Sequence, residues 1–287
     1  MRLKPDQLAF LDEHGYLLIE GLLSEPELEA VHEELPYYFP TGQERHTRPE
    51  RYRGLTTDVP FPVTGPAINQ VFVHPNVLSV VGQLLGTNDV RLTDAVLRAK
   101  YPTSTEGGLR LHVDFWGKNS LTYPRDDGVF RQILILVYFS DVTEGSGPTF
   151  VVPREHYRDD PLYPWKRTRE EHPGMYALER PVLAPAGSGL IVSMRTFHRG
   201  SKVTDPKGAR FNAFVGYRAA ECGWMETHHW GTGGETRMRD FLEAATPQQR
   251  EVLGFPPPGH PYWNADTVLG VSRRYPGMDM APYTEAM

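Results

Sequence analysis

The chain has 287 residues, 39% of them hydrophobic and 23% charged, with 27 Gly and 26 Pro. That composition excludes a disordered or fibrous chain and suits a turn-rich globular protein. The formal net charge of -6 excludes a basic footprint for nucleic acid or anionic membrane, while the single cysteine, Cys222, excludes a disulfide framework or cysteine-rich zinc site and fits a reducing, cytoplasmic compartment.

The opening segment "MRLKPDQLAFLDEHGYLLIEG" has acidic residues in its first turns and no apolar core of signal-peptide length. Its pattern predicts a helix around residues 7–13, then a strand in "GYLLIEG". "SEPELEAVHEEL" starts a second helix, with Ser24 as cap and Glu27 closing a capping box. His32 in that helix reads as a surface residue. Residues 36–65 mix Pro, Gly, Arg and Thr without a period, which predicts a long irregular connection of the kind that often carries function.

From Asn88 onward, strand-like runs alternate with turn signals: "DVRLTDAVLRAKYP", "LRLHVDFW", "FRQILILVYFS", "GPTFVVP", "GSGLIVSM" and "RFNAFVGYRA". The longest apolar run, "ILILVYF", falls far short of the roughly 20 residues that span a bilayer. So many strands with no regular helix between them predict an antiparallel sandwich or barrel. No repeat or linker divides the chain, so residues 1–287 are expected to form one domain. The Pro-rich and aromatic stretch 222–287 should wrap the core as an arm, because a solvated linker has little use for aromatic side chains.

One strand raises a chemical question. In "LRLHVDFW", alternation puts His112 and Asp114 on one face and Leu111, Val113 and Phe115 on the other. Two potential metal ligands then point at one spot, although a merely wet strand face explains the pair equally well. An open iron(II) site needs two histidines and a carboxylate on one side of the metal, so a third ligand must return. Downstream lie His156 in a loop, His172 in a charged segment, the adjacent His228 and His229, and His260 among prolines. His198 differs, since "GSGLIVSMRTFH" delivers it just after an apolar strand, where a sheet end meets a loop. Chain geometry leaves both readings of these residues open.

The order His112-x-Asp114, then His198, then Arg210 resembles the iron(II)- and 2-oxoglutarate-dependent dioxygenases of the phytanoyl-CoA dioxygenase family. "LDEHGYLLIEGLLSEPELEAV" is similar to that family's N-terminal helix, strand and helix, and "LRAKYP" to the strand that carries a lysine ahead of H-x-D. "YFSDVTEGSGPTFVVPREH" is similar to its central segment, so the likeness covers roughly residues 8 to 218. Two features depart from the family pattern. Pro153-Arg154-Glu155-His156 stands where Pro-Gly-Ser-His is usual, and Ser201 follows the distal histidine by three residues instead of two.

The resemblance implies a mainly β, α+β chain folded as a double-stranded β-helix, the cupin-like jelly roll, with flanking helices. It implies that His112, Asp114 and His198 hold iron(II), leaving room for 2-oxoglutarate and O2. It places Arg210 on the distal carboxylate of 2-oxoglutarate, where a planar guanidinium can pair both oxygens. Lys100 would assist the same anion, and Gln132 would touch the co-substrate or the product. Trp116 reads as a core aromatic first and a substrate wall second. Related halogenases replace the carboxylate by a small residue, and this chain keeps Asp114, which favours hydroxylation or another oxidation of a small organic molecule.

Specialised metabolism fits the absence of an obvious basic cluster, while an acyl-CoA or lipid hydroxylase of the same family is the alternative. A metal-dependent cupin isomerase or lyase without 2-oxoglutarate, and a silent binding protein on the same scaffold, are rivals from other classes. Arg210 and Lys100 argue against the former and a complete ligand set against the latter.

Overall fold

The computed structural model describes residues 1–102, 110–114, 132–160, 162, 166–220, 236–253, 255–260, 263, 265, 268, 271, 272 and 275–287. Two antiparallel sheets form its centre. The larger has the order β1 (Tyr16–Ile19), β9 (Gly189–Ser193), β5 (Gln132–Tyr138), β11 (Arg210–Ala219), β3 (Val90–Lys100), β2 (Asp58–Pro60). The smaller runs β7 (Lys166–Arg167), β4 (Leu111–His112), β10 (His198–Gly200), β6 (Thr149–Val151), β8 (Arg180–Val182). Strands that neighbour in space but not in sequence make the jelly-roll arrangement expected from the strand-rich half of the chain.

Burial explains the layering. Every residue of β5 is buried, as a central strand covered on both faces must be. In β3, Leu92, Ala95, Leu97 and Ala99 are buried against the helical layer, while Asp94, Val96, Arg98 and Lys100 on the alternate face are only half-buried. That half-buried face looks into the space between the sheets. The helical layer is built by α1 (Pro5–His14), α2 (Glu25–Glu34), α4 (Pro66–Val71) and α5 (Pro75–Leu85). Helix α2 starts where Ser24 and Glu27 form the expected capping box. Helix α5 runs from the cap His74 to Gly86, whose φ of +67° ends it in the left-handed conformation.

Three sequence expectations need correction. Residues 36–65 are not one irregular connection, because Thr41 and Glu44 cap α3 (Gly42–Thr47) and β2 joins the sheet edge through Asp58↔Arg98. The strand in "LRLHVDFW" is described only as Leu111–His112, and Asp114 sits in the turn that follows. The strands are also interrupted by a helix, α6 (Pro173–Ala177), and β7, β8 and β10 are two or three residues long, too short to produce a period.

Near the C-terminus, α7 (Thr236–Ala244), α8 (Pro247–Val252) and α9 (Ala281–Glu285) are described. Phe241, Leu242, Val252, Tyr275 and Met278 belong to the same buried apolar cluster as Val63, Ile68 and Leu97. Phe241 meets Phe61 edge-on at 5.0 Å. Arg250 is 1% exposed and satisfies its guanidinium on the Leu242 carbonyl and the Tyr283 hydroxyl. Among the described residues, no helix is long and apolar enough to cross a membrane.

Candidate metal and co-substrate site

His112 and His198 are register partners on β4 and β10, so pairing of two short strands brings residues far apart in sequence side by side. Their rings lie 4.5 Å apart. The Asp114 carboxylate approaches both, with Oδ1 3.4 Å from His112 Nε2 and Oδ2 3.3 Å from His198 Nε2. One donor atom from each of the three falls within 4.8 Å of the others.

The second nitrogen of each imidazole settles its tautomer. His112 Nδ1 lies 2.9 Å from the Arg110 carbonyl and His198 Nδ1 2.9 Å from the Thr196 carbonyl. A carbonyl only accepts, so both Nδ1 atoms donate, which turns both Nε2 atoms toward the carboxylate. This is how histidine is prepared as a metal ligand. Burial would raise the Asp114 carboxyl, but His198 and His112 outweigh it and hold that carboxyl well below the usual range. Burial in turn pulls the His198 imidazole down, and Asp114 more than offsets this, leaving it above its ordinary value. Two imidazoles and a carboxylate of this kind fit an iron(II) ion with open positions.

The same cavity, about 460 Å³, is lined by His112, Asp114, His198, Lys100, Arg210 and Thr149, with Leu136 and Phe214 as apolar walls. Arg210 and Lys100 are cross-strand partners on β11 and β3. Arg210 is 4% exposed and donates to the Gly147 carbonyl, and its buried Nε has no partner among the described residues. Burial pushes its guanidinium down. Burial likewise drives the Lys100 ammonium down to about 7, with Arg210, Arg98 and Arg199 adding to the fall. Among the described residues no carboxylate pairs with either cation, and two such cations at a buried wall make a receptor for an anion.

Gln132 is not brought to this cavity. It shares a strand face with Leu136 but lies further along β5, where Nε2 donates to Thr93 and the buried Oε1 has no partner among the described residues. His156 closes a short 3-10 turn, and its neighbour Glu155 accepts from His14, so the altered Pro153–His156 turn is tied to α1. Ser201 donates to the Pro148 carbonyl. His172 precedes α6 and His260 is exposed, and neither belongs to the group of donors formed by His112, Asp114 and His198. Trp116, Cys222, His228 and His229 lie outside the described residues. Sequence reasoning missed Thr149, Thr57, Asp58 and Arg98 as lining residues. Arg98 carried a signal, being two positions from Lys100 on one strand face, whereas Thr57 and Asp58 are delivered by an edge strand hidden in an irregular segment.

Residues 11–211 match the family model described as phytanoyl-CoA dioxygenase (PhyH). The chain belongs to the phytanoyl-CoA dioxygenase family. It is thus an iron(II)- and 2-oxoglutarate-dependent oxygenase that uses O2 and acts on a small molecule. Among solved structures, it is similar to HygX from Streptomyces hygroscopicus with iron bound, at 20% identity over 77% of this chain and 88% of that one, with a TM-score of 0.57. HygX with nickel, 2-oxoglutarate and hygromycin B bound gives 23% identity, 76% and 88% coverage and a TM-score of 0.54. EctD from S. alaskensis in its apoform gives 16% identity, 76% and 78% coverage and a TM-score of 0.57. At such identities these likenesses show the fold, a cupin-like jelly roll with flanking helices. No curated protein matches the sequence.

Proposed function

We propose that His112, Asp114 and His198 bind iron(II), that Arg210 and Lys100 bind the distal carboxylate of 2-oxoglutarate, and that the enzyme hydroxylates a small organic molecule. The observation that carries this reading is the convergence, in one cavity, of two Nδ1-protonated imidazoles, a carboxylate and a pair of cations that no carboxylate of the described residues pairs with. Iron(II) bound there supplies the oxidation that couples O2 and the decarboxylation of 2-oxoglutarate to attack on a C–H bond. The protein's part is placement. The carbonyls of Arg110 and Thr196 fix the imidazole planes, the Asp114 carboxylate would complete the ligand set, and Leu136 and Phe214 would give the reacting centre an apolar wall.

The substrate is read as a small metabolite of specialised metabolism, in a cytoplasmic enzyme. Supporting this, the cavity rim presents Thr57 and an ion pair between Asp58 and Arg98 at 2.7 Å, which suits a polar ligand better than an acyl chain. HygX has been solved with hygromycin B, and SnoN is an epimerase from nogalamycin biosynthesis. We also read residues 1–287 as a single domain with 222–287 as an arm on the core, supported by the shared apolar cluster. Iron-dependent release of succinate from 2-oxoglutarate is the test, screened for stimulation by hydroxylated metabolites and by acyl-CoA thioesters. Stimulation by the former supports the reading, whereas stimulation by thioesters alone moves the enzyme to lipid oxidation.

A further inference from the structure

Each candidate ligand histidine leans on a peptide group whose other end is held by a buried tyrosine. His112 Nδ1 donates to the Arg110 carbonyl and His198 Nδ1 to the Thr196 carbonyl, each at 2.9 Å and each two residues back along the chain. A peptide unit is planar, so the Arg110 carbonyl moves with the Leu111 N–H, and the Thr196 carbonyl with the Phe197 N–H. The Leu111 N–H donates to the Tyr176 hydroxyl at 3.1 Å, and the Phe197 N–H to the Tyr157 hydroxyl at 2.8 Å. Leu111 and Phe197 are fully buried, in one apolar cluster with both tyrosines, so these hydroxyls satisfy donors that water does not reach. Each phenol passes its own proton on to a carbonyl, Tyr176 to Arg167 at 2.8 Å and Tyr157 to Arg195 at 3.4 Å. The two come from separate elements. Tyr176 lies on α6, whereas Tyr157 ends the short turn Arg154–His156 that departs from the family pattern.

We infer that Tyr176 and Tyr157 are positioning residues for the metal, one behind each histidine, an inference that rests on the metal site proposed above. Each acts through three hydrogen-bonded groups in series, hydroxyl, peptide and imidazole, and the series ends at Nε2. The first effect is geometric. A peptide plane anchored at its N–H cannot rotate, so its carbonyl holds one direction and the imidazole bonded to it holds one plane. The second effect is electronic, because hydrogen bonds in series polarise one another in a low-dielectric interior. A peptide that donates at N–H accepts more strongly at C=O, and a more strongly held Nδ1 proton makes Nε2 a better metal donor. Packing alone does not account for the hydroxyls, since phenylalanine would fill the same apolar cluster. The same arrangement stands behind both histidines, at residues 110–112 and again at 196–198, although different elements supply it.

The test uses the full chain loaded with cobalt(II) in place of iron(II), because this ion displaces the NMR signals of protons on its histidine ligands far from all others. Wild type should give one displaced, solvent-exchangeable signal for each Nδ1 proton. Tyr176→Phe should move one of these signals and Tyr157→Phe the other. Each should also weaken cobalt(II) binding about tenfold, the lower end of what losing a partner behind a metal-bound histidine costs. Leu134→Ala removes packing from the same cluster, so it should lower the thermal midpoint at least as much and move neither signal. Fluorotyrosine at either position keeps both hydrogen bonds while weakening the hydroxyl as an acceptor. It should move the same signal less far, and it decides the matter even where phenylalanine is not tolerated. Signals that stay in place in all tyrosine variants, or that move as far in Leu134→Ala, would overturn the inference. If wild type shows both signals in that case, only the role of the tyrosines falls; if wild type shows neither, the metal site falls and this inference with it.

Discussion

Arg210 and Arg199 stand close in sequence and differ in what surrounds them. Arg199 is fully engaged, its guanidinium 2.7 and 2.6 Å from the two Glu179 oxygens and stacked over Phe150. Among the described residues Arg210 has only the Gly147 carbonyl as a hydrogen-bond partner, and it stands opposite Lys100. Burial, with Arg210 opposite adding to it, leaves Lys100 with a proton held weakly, its loss centred at about 7. A bound dianion stabilises the ammonium form, so binding of 2-oxoglutarate takes up a proton whenever the free enzyme has lost it. Affinity for 2-oxoglutarate should therefore be highest below pH 7 and fall as pH rises above it, by at most tenfold per pH unit. Calorimetric titrations on either side of pH 7, in buffers of different ionisation enthalpy, measure both the trend and the proton. Lys100→Met should bind more weakly at low pH and show a flat profile. A wild-type profile that is already flat would remove Lys100 from the anion site.

At the scale of elements, legibility followed length. The helix capped by Ser24 and Glu27 and the long strands β3, β5 and β11 were readable because period and capping accumulate over many residues. Strand β10 was not, since His198–Gly200 exists through its partners β4 and β6 and not through any pattern of its own. The three ligand candidates were legible as residue types at a familiar spacing. Their convergence was not, because the alternation argument placed Asp114 on a strand whereas a turn delivers it. Gln132 was placed by its strand face, and a strand face extends past a cavity: Leu136 on that face lines the cavity of the triad, whereas Gln132 is not among the lining residues. Val113 tests the separation between packing and chemistry. It is fully buried beside Leu111, Leu134 and Phe197, so Val113→Ala should lower stability by about 1 to 3 kcal/mol and leave iron(II) affinity intact. Chemical denaturation read alongside metal titration checks this, and a loss of iron without a loss of stability would contradict it.

For the whole molecule, the site depends on two sheets held at a fixed separation, with helices closing the outer face of the larger one. The C-terminal residues take part in that closure through Phe241, Val252, Tyr275 and Met278. Removing residues from 226 onward should lower the thermal midpoint and open apolar surface to dye, since it strips a layer from the largest buried cluster. An unchanged midpoint with lost turnover would recast this segment as a cover over the substrate. Both outcomes concern the scaffold, whereas the central claim concerns three residues. Anaerobic addition of iron(II) and 2-oxoglutarate should give the weak visible charge-transfer band of a keto acid chelated to iron. Alanine at His112, Asp114 or His198 should abolish or shift that band, and Val113→Ala should preserve it. A band that survives unchanged in all three ligand variants would contradict the account.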